Sequence, residues 1–387
     1  MVRPMLAALA PFLLLFGVLY AGFGVQSPFL PVLFSDRGLS PESVGAIMAA
    51  GTAIRLVAGP VAGRLADRFA APRLVFALCA GAAAIVVFGY RAADGFWPLL
   101  AIAVLQAAVL APLAPLSDSL VLAAAAPKAE GADKVGFDYG WVRGAGSGAF
   151  ILGSVLSGQL VARFGLAAIL WLHAGLLALA ALWAPRTPNL ARPEPKNLDV
   201  DTRHALTLFR LPEFRRVMLV AALVLGSHAL HDNFAMIRWT ASGIGADTAG
   251  MLWAEAVAAE VVVFLLIGRP LLNRLGPAGA ALLAVIAGIV RWAVAAETAW
   301  LPVTALIQPL HGITFALLHL ACMQRLAETV PPQLSATALS VYGTVAIGAM
   351  TALLTLVSGV LYGAIGPRGF WVMAALCALA LPFARRL

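Results

Sequence analysis

The chain has 387 residues, of which 62% are hydrophobic and only 11% are charged. Soluble domains are about half apolar and a quarter charged, so this composition excludes a soluble protein and predicts an integral membrane protein in a lipid bilayer. The net charge of +8 then reflects basic cytoplasmic loops, and we expect no nucleic-acid partner.

Twelve apolar segments follow one another along the chain, and each has about the twenty residues that a helix needs to cross a bilayer. They are residues 9–34, 42–66, 73–92, 97–124, 138–162, 166–185, 214–241, 247–268, 277–296, 300–325, 333–363 and 368–384. Loops between them are short, which leaves no room for a soluble domain. The sequence predicts an all-α membrane protein with twelve transmembrane helices.

Basic residues set the expected orientation. If both termini are cytoplasmic, most of the 26 Lys and Arg residues lie at the inner ends of the segments. Cytoplasmic loops carry such an excess, so we predict cytoplasmic N- and C-termini in a bacterial inner membrane.

The longest polar stretch divides the segments six and six. We therefore predict an N-terminal half (1–185), a cytoplasmic linker (186–213) and a C-terminal half (214–387). The pattern SG-x-L-x4-G occurs at 157–165 and again at 358–366. Similar spacing in both halves indicates a duplicated six-helix unit.

Carboxylates inside the apolar segments need partners, because an isolated charge in hydrocarbon costs several kcal/mol. The eighth segment carries Glu255 and Glu260, which lie about 140° apart on a helix. Counting residues from the helix ends gives the depth of each side chain in the membrane. Arg291 lies level with Glu255, and His311 lies level with Glu260 near the midplane. His319 lies two turns further inward than His311. These pairings suit proton transfer, although polar pairs also join helices in many bundles.

Charged residues also interrupt the apolar segments of the N-terminal half. Asp118 and Arg143 fall in the same inner layer, so they can pair, but the guanidinium fork of Arg143 can instead hold a carboxylate substrate. Arg55 interrupts a segment of small residues and is a candidate for substrate binding or gating. His228 and Asp232 share a helical face, but they lack a third ligand, so we expect a polar lining rather than a metal site.

Several motifs resemble those of the major facilitator superfamily. GRLADR matches its loop motif at Gly63, Leu65, Asp67 and Arg68. More specific stretches resemble the phenylpropionate permease group, which is distantly related to lactose permease and nucleoside/proton symporters. They are PLSDSL (115–120), DYGWVRGAGSGAF (138–150), WAEAVAAEVVVF (253–264), GIVRW (288–292), QPLHGITFALLHLACM (308–323) and GFWVMA (369–374).

The resemblance implies roles for individual residues. Glu260, Arg291 and His311, with Glu255 and His319, correspond to the region in which such symporters couple protons, and Asp67, Arg68 and Asp118 to gating positions. It also implies a central cavity for the substrate. The residues expected there are Arg143, Tyr20, Gln26, Gln308, Tyr342 and Arg55.

Known catalytic motifs such as a P-loop or G-x-S-x-G are missing from the sequence, so we predict a transporter and not an enzyme. We expect a monomeric, proton-coupled secondary transporter with protons as the coupling ion and no cofactor. The resemblance implies that its substrate is a small organic acid with an aromatic group. A proton symporter of a neutral sugar or nucleoside, or an exporter of drugs or metabolites, is the alternative. A scaffold without transport activity has no need of midplane carboxylates.

Overall fold

The computed structural model describes residues 2–125, 137–188 and 206–387, with side chains from residue 9 onward. The described residues form helices and the turns between them, as predicted. Residues 189–205 of the predicted linker lie outside the described part of the chain.

The first part of the chain contains long helices interrupted by short breaks. Their bounds are Val2–Gln26, Leu30–Asp36, Pro41–Arg68, Pro72–Val86, Gly89–Ala92, Phe96–Leu110, Leu113–Ala125, Tyr139–Phe164 and Ala167–Trp183. Proline at the first position of a helix, as in Pro41–Arg68 and Pro72–Val86, is favoured because that position needs no amide donor.

The second part begins at Pro212. Its helices are Pro212–Gly226, Ala229–Ala241, Ala246–Val262, Gly268–Glu297, Leu301–Ile307, Leu318–Thr329, Ser335–Val341, Met350–Ile365 and Gly369–Ala384, with π-helical turns at Val263–Ile267, Gly312–Leu317 and Tyr342–Ala349. π-Helical turns inside α-helices are rare and often lie at functional sites. Two of them follow Glu260 and His311 closely in sequence.

Ten described helical stretches are long and apolar enough to cross a membrane. Two of them, Ala246–Glu297 and Pro332–Ala384, have 52 and 53 residues, about twice the length that a bilayer requires. Gly276 and Gly366 interrupt these two with positive φ angles of 66° and 57°. Divided there, the described stretches correspond to the twelve predicted segments, with ends that differ by a few residues.

The repeated SG-x-L-x4-G pattern has the same structural role in both places. Ser157 and Ser358 are both fully buried. The closing glycines, Gly165 and Gly366, both end a helix with positive φ angles of 76° and 57°, a conformation that glycine adopts without a steric penalty. This shared geometry supports the predicted duplication.

The Cα positions form two compact units, one containing residues 1–33 and 54–196 and the other residues 34–53 and 197–387. In the first unit, the helices Val2–Gln26 and Tyr139–Phe164 pack closely along their length. The carbonyl oxygen of Ala21 lies much closer than a van der Waals contact to the position that a Cβ atom on Gly153 would take, so only glycine permits this approach. Gly148, on the same helix, faces open space.

We expect Gly153→Ala to destabilise the protein by about 1–3 kcal/mol, because the added methyl group must push the Val2–Gln26 helix away. Gly148→Ala is the matched control. Alanine has a higher helix propensity than glycine, so this substitution should leave stability unchanged or raise it by up to about 1 kcal/mol. Thermal unfolding in detergent measures both. Equal unfolding temperatures for the two variants would show that the contact is not close.

Candidate proton and substrate sites

The first unit contains a polar group that we call the Arg143 cluster, made of Tyr20, Asp118, Tyr139 and Arg143. Arg143 donates a hydrogen bond to the Tyr20 hydroxyl, and its guanidinium carbon lies 5.0 Å from the centre of the Tyr20 ring. Tyr139 donates to Asp118 Oδ1 over 2.8 Å, and the same oxygen lies 3.9 Å from Arg143 Nη1. The predicted association of Arg143 with Asp118 is therefore present.

Arg143 keeps an open side within this cluster. Its side chain is 48% exposed, and that of Asp118 is 30% exposed. A guanidinium has five N–H donors, and the contacts with Tyr20 and Asp118 use only part of them. Arg143 can therefore hold a carboxylate without giving up its protein partners.

The second unit contains a larger group, the Arg291 cluster, made of His228, His231, Asp232, Glu260, Arg291, Gln308 and His311. Arg291 is 1% exposed and lies at the centre. It donates to Gln308 Oε1 and His311 Nδ1, both over 3.1 Å, and to His231 Nε2 over 3.5 Å. Its guanidinium carbon is 4.5 Å from the centre of the Trp292 ring, which adds a cation–π contact.

The predicted pairing of His311 with Glu260 is present, with His311 Nε2 3.4 Å from Glu260 Oε2. The predicted pairing of Arg291 with Glu255 is wrong, since Arg291 is taken up by Gln308 and two histidines. Helix geometry explains the difference. Glu255 and Glu260 lie about 140° apart on their helix, so when Glu260 faces His311, Glu255 points elsewhere.

His228 has both ring nitrogens engaged. Its Nδ1 lies 3.1 Å from the carbonyl oxygen of Val224, which can only accept, so Nδ1 carries the proton. Nε2 lies 2.9 Å from the Thr314 hydroxyl, which also lies within hydrogen-bond distance of the carbonyl oxygen of His311. The His228 ring packs edge-on against Trp292 and His311 and so borders the Arg291 cluster.

The remaining candidate residues occupy separate places. His319 Nδ1 lies 3.3 Å from the Tyr342 hydroxyl, so these two form a pair of their own. Gln308, expected in the substrate cavity, belongs to the Arg291 cluster, and Gln26 is buried. Arg55 lies near the Tyr90 phenol.

The two candidate gating residues Asp67 and Arg68 are exposed at the end of the Pro41–Arg68 helix. The guanidinium carbon of Arg68 lies 6.0 Å from the centre of the Phe69 ring. These positions leave both residues accessible at a helix end.

Sequence reasoning expected Asp232 in a polar lining and missed the part that Asp232 and its neighbour His231 have in the Arg291 cluster. His231 reaches Arg291 with one ring nitrogen and Asp232 Oδ1 with the other, over 3.4 Å. It also stacks on Trp253 with 5.6 Å between ring centres. The signal in the sequence was the run of four polar residues, His228, His231, Asp232 and Asn233, within an apolar segment.

Comparison with known proteins agrees with this architecture. A model of the MFS_1 like family matches residues 7–373. The chain belongs to this family. It is a multi-pass transporter of the major facilitator type, and its relatives and structural neighbours are transporters rather than enzymes.

Two curated relatives of this MFS_1-like transporter cover most of its length. The probable 3-phenylpropionic acid transporter of Escherichia coli (strain K12) is 32% identical over 373 residues, 95% of this chain and 94% of that protein. The maltose permease of Geobacillus stearothermophilus is 25% identical over 353 residues, 90% of this chain and 86% of the permease.

A solved structure confirms the predicted fold. The crystal structure of a mutant of the nucleoside transporter NupG superposes with a TM-score of 0.83, covering 97% of this chain and 98% of that chain at 18% identity. At that identity the likeness establishes the fold alone, which is the major facilitator fold that the sequence predicts.

We expect Arg291→Gln to destabilise the transporter by about 3–5 kcal/mol, because it removes the cation that lies between buried acceptors and two carboxylates. Arg269→Gln, an exposed position on the other side of the break at Gly276, should change stability by less than about 0.5 kcal/mol. Thermal unfolding of the purified proteins measures the difference. An Arg291→Gln protein as stable as wild type would contradict the central position of this charge.

Proposed function

We propose that this protein is a proton-coupled secondary transporter that carries a small aromatic carboxylic acid across the bacterial inner membrane. The observation that carries the substrate class is the 32% identity, over 95% of the chain, to a probable 3-phenylpropionic acid transporter. A half-exposed Arg143, with guanidinium donors that its protein contacts leave unused, supports the same class. Bidentate hydrogen bonding to a carboxylate is the recognition that such a fork favours.

The Arg291 cluster supports the coupling to protons. It brings a buried cation, imidazoles and two carboxylates into one contact network within membrane-spanning helices. Carboxyl and imidazole groups are the side chains that bind and release protons near neutral pH when their environment is tuned. In this proposal, binding of a proton to the Arg291 cluster accompanies binding of the substrate, and both are released together after the change of access.

The kinship with maltose permease and the fold of NupG raise a second candidate, a symporter of a neutral sugar or nucleoside. Neutral substrates need hydrogen-bonding amides and hydroxyls and not a free guanidinium. The open side of Arg143 therefore favours the acid, and direct competition among the three classes decides between them.

The test uses purified protein in liposomes, with an external pH indicator and protein-free liposomes as the baseline for passive entry of weak acids. Addition of 3-phenylpropionate should raise the external pH beyond that baseline, because each anion enters with a proton. Nucleosides and maltose should give no signal. A signal from one of these and none from aromatic acids would replace the proposed substrate class.

Arg143→Ala should weaken the apparent affinity for 3-phenylpropionate by roughly ten- to a hundredfold, which corresponds to the 1.5–3 kcal/mol of a hydrogen bond to a charged group. Arg143→Lys keeps the charge but loses the fork, and should fall between the alanine variant and wild type. Arg163→Ala, near the end of the same helix, is the control and should match wild type. Unchanged affinity in Arg143→Ala would remove Arg143 from the binding site.

A further inference from the structure

The Arg291 guanidinium lies between two imidazoles, and each imidazole contacts a carboxylate with its far nitrogen. On one side His231 joins Arg291 to Asp232, with contacts of 3.5 and 3.4 Å. On the other side His311 joins Arg291 to Glu260, with contacts of 3.1 and 3.4 Å. The cluster therefore has the order carboxylate, imidazole, guanidinium, imidazole, carboxylate.

Hydrogen-bond chemistry fixes where the protons sit on these imidazoles when they are neutral. A guanidinium only donates, so His231 Nε2 and His311 Nδ1 must accept from Arg291 and carry no hydrogen. The opposite nitrogens, His231 Nδ1 and His311 Nε2, then carry the N–H groups and direct them at the carboxylates. Each carboxylate thus receives the polarising influence of Arg291 through one imidazole.

Exposure differs between the centre and the ends of this array. Arg291 is 1% exposed, whereas the Asp232 side chain is 47% exposed and that of Glu260 is 25% exposed. The exposure of Asp232 is unusual because its neighbours His231 and Asn233 are buried. Both carboxylates therefore reach the surface of the protein, and the guanidinium between them does not.

The two carboxylates also lie at different depths. A helix rises about 1.5 Å per residue. Asp232 therefore lies about 14 Å before the end of the Ala229–Ala241 helix. Glu260 lies about 21 Å after the start of the Ala246–Val262 helix. These two helix ends are joined by the short turn at 242–245, so they mark a common level. The Cα atoms of Asp232 and Glu260 therefore differ by about 7 Å in position along the helices.

Charge balance limits the number of protons that the array binds. With both carboxylates ionised, one cation faces two anions, and the net charge of −1 is costly within a membrane span. One bound proton brings the net charge to zero. A second proton would leave the buried Arg291 without an ionised partner, so binding at one carboxyl opposes binding at the other.

We propose that Asp232 is a second proton-binding residue of the transporter and that it shares a single transported proton with Glu260. Arg291 stays protonated throughout, and a proton taken from water by either carboxylate forms the neutral array. Its release to water restores two carboxylates and one cation. This inference rests on the proposed proton coupling and adds to it a named residue and a stoichiometry of one.

Other titratable groups face the array and belong to its environment. These are His228 beside His311, Cys377 near Arg291, and His319 near Glu260. His228 is held by Val224 and Thr314, and His319 is engaged with Tyr342. The charges counted for the array are those of Asp232, Glu260 and Arg291.

The experiment measures initial uptake of 3-phenylpropionate into liposomes above the protein-free baseline, with the pH gradient and the membrane potential imposed separately. In wild type, an inward gradient of one pH unit should raise the rate by up to about tenfold. One proton per monoanion makes the cycle electroneutral, so a potential that is negative inside should leave the rate unchanged. Acceleration by that potential would mean more than one proton per cycle and would overturn the shared-proton proposal.

Asp232→Asn and Glu260→Gln each mimic a carboxyl that is permanently protonated. Both variants should lose the stimulation by the pH gradient and keep exchange of internal for external substrate. Asp232→Glu should keep the stimulation, and Asp247→Asn, an acid in the first turn of the neighbouring helix, should match wild type. If Asp232→Asn misfolds, the response of wild type to the potential still decides the stoichiometry.

The outcomes separate this inference from the function that it rests on. If wild type shows no stimulation by the pH gradient, the proposed proton coupling fails. If wild type is stimulated, Glu260→Gln is not, and Asp232→Asn behaves as wild type, only the role of Asp232 is overturned.

Discussion

The desolvated charge of Arg291 is the constraint on which the second unit depends. A buried cation costs several kcal/mol unless hydrogen bonds and counter-charges offset it. Here Gln308, His231 and His311 accept hydrogen bonds from its two Nη atoms, and Trp292 covers its face. These partners come from several helices, so satisfying one charge also fixes how those helices pack against one another.

That requirement connects packing with transport. A charge that must always keep an ionised partner makes proton binding at one carboxyl depend on the state of the other. Arg143 in the first unit, the residue that we propose for substrate binding, meets a milder requirement because its side chain is half exposed. Arg291 therefore suits a permanent structural and electrostatic role, and Arg143 suits reversible binding of a ligand.

The sequence was sufficient for the fold and for part of the site. Hydrophobic segments, prolines and glycines predicted the helices to within a few residues, because a bilayer permits few other structures. Depth counting found the contact of His311 with Glu260, but it paired Arg291 with Glu255, since depth alone does not tell which face of a helix turns inward. The part of His231 and Asp232 in the Arg291 cluster was missed for a similar reason. Their helix is buried on almost all sides except at Asp232, so the sequence does not tell which of its faces meets Arg291.

The most direct test of the account counts the protons that the purified transporter takes up when it binds 3-phenylpropionate. Calorimetry in two buffers of different ionisation enthalpy gives this number. The measurement is made at a pH where both carboxylates of the Arg291 cluster are ionised in the empty transporter. Linkage between proton and substrate then predicts an uptake approaching about one proton per bound molecule in wild type. Glu260→Gln should take up none. Binding by wild type without proton uptake at any pH would contradict the coupling of the Arg291 cluster to the substrate.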